Sequence, residues 1–156
     1  MKKLLTTIAL ILFSTTVMAQ KPDWVSLLEI IDQAANESAD EPTKYIYLLQ
    51  RCAAQRLAMS TIIKESSPNL SIQFTKSTSE LAKRAALERI NLVKARANST
   101  LDVEDISNDI LQNITLLHEQ YMSWANSNYL MDGAYFEKDE DFKLEIEICE
   151  EIANSP

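Results

Sequence analysis

The stretch DVEDISNDILQNITLLHEQYMSWANSNYLMDG, residues Asp102 to Gly133, decides the fold. Val103, Ile106, Ile110, Ile114, Leu117, Tyr121, Trp124 and Met131 recur at intervals of three and four almost throughout. That spacing puts apolar side chains on one stripe of an α-helix and nowhere coherent on a strand. Asp102 stands where an N-cap belongs, and Asp105 stands three residues on, where a capping box places its acid. Gly133, the chain's one glycine, stands just past the stripe.

Working outward, the punctuation keeps to the gaps. Prolines occur at 22, 42, 68 and 156 only, between long periodic segments. A fold of many tight β-turns needs residues that tolerate positive φ, and one glycine does not supply them. The pattern predicts a short first helix from Asp23 to Asn36, capped by Asp23, with Trp24, Leu27, Leu28 and Ile31 on one face. A second helix is expected from Thr43 to Glu65, with Tyr45, Leu48, Leu49, Cys52, Met59 and Ile63 inward. A third is expected from Leu70 to Ala97, with Phe74, Leu81, Ala85, Ile90, Leu92 and Val93 inward. The last segment, Lys138 to Ala153, contains EIEICEEI, which alternates like a strand. Phe142, Ile146, Cys149 and Ala153 also step at helical intervals among helix-forming Glu and Lys, and the helical reading is preferred. Four long amphipathic helices on short loops predict an all-α fold, an antiparallel four-helix bundle with a short extra N-terminal helix.

The first 19 residues have a different character. Lys2 and Lys3 precede an apolar run from Leu4 to Phe13, and Val17 and Ala19 supply small residues at −3 and −1 of a cleavage site. This is the pattern of a secretory signal in a bacterial style. A run of about ten residues is too short to span a bilayer as a helix, which takes roughly 20. Residues 1–19 are therefore expected to be removed, leaving 20–156 as a single helical-bundle domain in the periplasm or outside the cell, without membrane insertion.

All 23 acidic residues lie after the signal and two of the 15 basic ones lie within it, so the mature chain carries 13 basic against 23 acidic groups, a net charge of −10. Nucleic acid is an unfavourable partner for such a chain, because phosphate binding draws on cationic contacts. The charge is unevenly spread. From Lys44 to Asn98 stand ten basic and three acidic residues, and from Leu101 onward two basic and fourteen acidic. The two halves are expected to neutralise each other across helix seams, or to leave a charged face open to a protein partner.

Cys52 and Cys149 are the chain's two cysteines. Exported proteins leave the reducing cytosol, so a bridge is the first expectation. With helices running alternately up and down, both thiols fall within about one turn of the same height, on neighbouring helices and on apolar faces. A nucleophilic Cys149 is disfavoured, since Glu145, Glu147, Glu150 and Glu151 crowd it and acids raise a thiol's pKa.

Few other residues suggest chemistry. His118 is the single histidine and could hold a haem or metal opposite Met59 or Met131, the rival to a cofactor-free reading. No C-x-x-C-H attachment motif accompanies it. Residues Asp132 to Asp141 gather five carboxylates but lack the ligand spacing of a calcium loop. Four N-x-S/T sequons, at Asn36, Asn69, Asn98 and Asn113, are attributed to chance under a bacterial-style leader. Catalytic, cofactor and metal residues are left unassigned. The expectation is a small exported helical module that binds a protein partner.

Overall fold

A computed structural model describes residues 22, 23, 25–36, 41–95 and 102–155 of the chain. They form five helices: α1 (Leu27–Asn36), α2 (Glu41–Ile63), α3 (Pro68–Ala95), α4 (Val103–Asp132) and α5 (Glu140–Asn154). No strand occurs among the described residues. The all-α bundle expected from the sequence is what forms. The expected signal, Trp24 and the sequon at Asn98 lie outside the described residues, as do the last two residues expected of the third helix.

The helix starts follow local hydrogen bonding. α1 begins four residues later than expected, because Ser26 and not Asp23 caps it: the Glu29 amide donates to Ser26 Oγ at 3.2 Å. SLLE, Ser26 to Glu29, carries the Ser-x-x-Glu spacing of a capping box, a stronger start signal than an isolated Asp. Leu27 and Ile30 are buried, while Leu28, expected inward, is exposed. α3 starts at Pro68, which needs no amide partner in the first turn. Asp102 accepts from the Glu104 amide at 3.4 Å. α4 ends at Gly133, whose φ of 70° is the left-handed conformation that glycine adopts freely, and whose amide bonds Tyr129 O at 2.9 Å. Asp139 caps α5 by accepting from the Phe142 amide at 3.0 Å.

α2 is the axis of the molecule, in contact with α1, α3, α4 and α5. Most of its residues from Ile46 to Ser60 are buried, including Gln50, Arg51, Gln55 and Arg56. A helix enclosed on nearly all sides has no single apolar stripe, which is why its pattern is the least regular of the long four. α2 and α3 form a hairpin across residues 64–67. Small side chains line their seam: Ser60 Oγ lies 2.9 Å from Ser71 Oγ and 2.8 Å from Thr75 Oγ1, and Thr78 Oγ1 donates to Ala53 O at 3.3 Å.

α3 and α4 also pack together. α3 is about 42 Å long at 1.5 Å per residue. The seven residues joining it to α4 reach roughly 29 Å at most, so the two helices run antiparallel. On α4, Ile106, Ile110, Ile114, Leu117, Tyr121 and Trp124 are buried as expected, whereas Val103 and Met131, at the two ends of the stripe, are exposed.

Candidate functional site

Three features could carry function: a buried charge network, the bridge beside it, and an open groove between α3 and α4. The network joins three helices and the chain before α1. Arg51 of α2, wholly buried, forms an ion pair with Glu145 of α5 and donates to the Val25 carbonyl oxygen. Tyr121 of α4 donates its hydroxyl to the other oxygen of Glu145. Burial opposes the charge on Arg51, but the oxygens of Tyr121 and Glu145 around it raise its pKa overall. Burial, joined by the Glu145 charge, lifts the Tyr121 hydroxyl well above its ordinary value of 10, so Tyr121 stays a donor.

Glu145 corrects one expectation. In the sequence it is one of four acids that crowd Cys149. It lies instead one turn before Cys149, on the same buried face, and its charge is matched. The other three, Glu147, Glu150 and Glu151, are exposed. Cys52 and Cys149 are bonded, with Cα atoms 5.1 Å apart, as the helix heights anticipated. The sequence contained a signal for the network too, since residues adjacent to a bridged pair share its seam.

The basic hairpin does meet the acidic end of the chain. Besides Arg51 and Glu145, Arg84 of α3 donates to Ile152 O at 2.9 Å, to Ser155 O at 3.1 Å and to the Tyr45 hydroxyl at 2.8 Å. The last turn of α5 has no basic residue of its own. Arg84 supplies the cation that the negative end of a helix dipole favours. Two further ion pairs, Lys83 with Glu80 and Lys143 with Glu140, lie within single helices on the surface.

The acidic segment from Asp132 to Asp141 is built as a structural turn. Asp139 Oδ2 accepts from Trp124 Nε1 at 2.8 Å and from Asn128 Nδ2 at 2.9 Å, and Asn128 Nδ2 also reaches Tyr135 O at 3.0 Å. Phe142 packs against Trp124, with ring centroids 4.7 Å apart. Among the described residues no group of three His, Cys, Asp or Glu is placed to hold a metal ion. His118 is half-buried on α4 and its Nε2 meets no protein partner; burial holds its pKa below 6.5 against the opposing pull of Glu119. Met131 stands on the same helix roughly 20 Å further along, so it cannot face His118 across a ligand. Met59 is buried in α2.

The groove, of about 440 Å³, is floored by Leu57 and walled by Thr75, Thr78 and Ala82 of α3 and by Ile110, Leu111 and Ile114 of α4. Its walls are mostly apolar, its size falls in the range of ligand clefts, and Lys83 stands on its rim. The sequence placed Ile110 and Ile114 in the core but gave no sign of the groove. Its openness follows from Thr75, Ser79, Ala82 and Ala86, which leave a shallow wall on α3 where larger residues would have closed the seam. No helix among the described residues is long and apolar enough to cross a membrane. Comparison with family models, with curated proteins and with solved structures returns no match to this chain.

Proposed function

We propose that this chain is a small periplasmic or secreted helical module, without enzymatic activity, that works by binding a protein partner along the α3–α4 groove. The groove is the observation that carries this reading. It is apolar within, open to solvent, and walled by two long helices packed on α2, which the bridge and the charge network tie to α5. The groups with most chemical potential are committed to structure: Cys52 and Cys149 to each other, Glu145 to Arg51 and Tyr121, and Asp139 to Trp124 and Asn128. The bridge also suits an oxidising compartment.

A photoreactive residue installed at Leu111, on the groove, or at Asp109, on the far side of α4, tests the reading in the exported protein. Adducts form at Leu111 and are absent at Asp109. Equal labelling at both positions, or none at either, overturns it. Export has its own check: the soluble mature protein begins at Gln20, and finding Met1 on it refutes the leader.

A further inference from the structure

We infer that the occupant of the α3–α4 groove is a second copy of this chain, docked through a two-fold axis parallel to the helices. The inference rests on the reading of the groove as a protein-binding surface and names the protein.

The walls of the groove differ in charge. α3 carries Lys76, Lys83, Arg84, Arg89 and Lys94 against Glu80 and Glu88. α4 carries Glu104, Asp105, Asp109, Glu119 and Asp132 with no lysine or arginine. Helical spacing places part of this charge on the two rims. Lys76 precedes the rim residue Lys83 by seven residues and Lys94 follows it by eleven, so the three share a line. Glu104 precedes Leu111 by seven and Glu119 follows Thr115 by four, which sets both on the facing line. All five side chains are exposed. Ile72 and Leu87 interleave with the lysines, and Leu111 with the acids; each of these three is also exposed, which sets apolar surface among the charges of this face.

A surface with a basic helix beside an acidic one is complementary to itself in one orientation. A two-fold axis along the helix direction lays α3 of each copy over α4 of the other and leaves every residue at its own height. The antiparallel pairing of α3 and α4 sets Thr75 and Thr115 at one end of the groove and Ala86 and Ser107 at the other. Lys76 then falls within about one turn of Glu119 of the second copy, and Lys94 within about one to two turns of its Glu104. An axis across the helices would set lysine against lysine, which like-charge repulsion opposes. Both helices flank the face from Ile72 to about Arg89, roughly 26 Å long and about 20 Å wide, a footprint of ~500 Å². Two such faces reach the total of about 1,000 Å² that a specific interface needs.

Sedimentation equilibrium of the oxidised mature protein from 1 to 500 µM, taken as on the order of the range that reports micromolar dissociation constants, tests this. The expected mass rises toward twice that of the monomer. Leu111→Glu weakens association at least tenfold and leaves the circular dichroism melt of the dilute, monomeric protein unchanged, because Leu111 is exposed in the monomer. Glu104→Lys with Glu119→Lys abolishes self-association, as does Lys76→Glu with Lys94→Glu, and mixing the two variants restores a dimer. A protein that stays monomeric throughout, or a dimer indifferent to Leu111→Glu, overturns the inference. The photoreactive residue at Leu111 separates the two failures. Adducts to a different protein alone refute the second copy and leave the binding module standing, and no adduct at all refutes both.

Discussion

Replacing Glu145 by Gln keeps the shape of the side chain and removes its charge, which isolates what the buried network contributes. In the native fold the side chains of Arg51 and Glu145 are 0% and 7% exposed, so water does little to screen either one. Glu145→Gln leaves a buried guanidinium facing a neutral amide, with the Val25 carbonyl still accepting from it. Breaking a buried pair from one side costs about 3–5 kcal/mol, because the remaining charge stays out of water. The total stability of a domain of this size is about 5–15 kcal/mol, so the loss is a large share. With a urea m-value near ~2 kcal/mol/M, the unfolding midpoint falls by roughly 2 M.

The counterpart is the triple variant Arg51→Met, Glu145→Leu and Tyr121→Phe, which removes every charged or hydroxyl group of the network together. Well-packed apolar replacements of a buried pair are often neutral or stabilising. The triple variant is therefore expected within about 1 kcal/mol of the parent, and well above Glu145→Gln. Urea unfolding followed by far-ultraviolet dichroism reads both. A cost below about 1 kcal/mol for Glu145→Gln, or a triple variant as weak as the single one, refutes the reasoning that an uncompensated charge dominates.

Four further outcomes are expected. Reduction of the bridge, or Cys52→Ala with Cys149→Ala, removes a link across 97 residues. In the chain-entropy model it costs up to about 5 kcal/mol and speeds amide exchange first in α5; unchanged exchange there counts against it. In an alkaline titration at 295 nm, one of the five tyrosines, Tyr121, resists ionisation until the chain unfolds, and stability falls as pH rises above its unfolded pKa of about 10. The single imidazole titrates below 6.5 by nuclear magnetic resonance. Because the folded pKa of His118 is depressed, the unfolded chain binds the proton first; stability is lost as pH falls from about 6.5 through the folded pKa, and His118→Gln flattens that slope. Gln55 is wholly buried and neither amide atom meets a protein partner. Gln55→Leu is expected to stabilise by about 1–2 kcal/mol, and a loss of stability would show the amide to be satisfied after all.

The long helices were legible because their burial is one-sided. α4 shows this most plainly, since six of its eight stripe residues are buried and the two exceptions, Val103 and Met131, sit at the two ends of the stripe. α2 was harder to place because contact on nearly every side enclosed Arg51, Gln55 and Arg56, which look like solvated residues in a local pattern. Arg56 survives there with its guanidinium 5.1 Å from the centre of the Phe74 ring. The start of α1 was misplaced for a local reason, Ser26 competing with Asp23 as the cap. The fate of Glu145 had a distant one. Its partner stands 94 positions away, and no periodicity links the two until the bridge fixes which faces meet. The groove was illegible for a related reason, since an apolar residue on a stripe looks the same whether the seam above it closes or stays open.

The two ties on α5 act differently, and their proximity explains why both are useful. The bridge restricts the unfolded chain and constrains α5 at one point, the two Cα atoms held 5.1 Å apart. The ion pair adds little net free energy but is exacting in direction, because Glu145 satisfies Arg51 and Tyr121 together only when α5 sits at one height and one rotation. Glu145 and Cys149 are one turn apart, so the charge network fixes the register that brings Cys149 to Cys52. In that register Phe142 meets Trp124, and the end of α5 reaches Arg84 on α3. The frame behind the groove is thus set by a polar contact and held by a covalent one. A variant lacking only the polar contact should still oxidise, but refold to the bridged state more slowly than the parent.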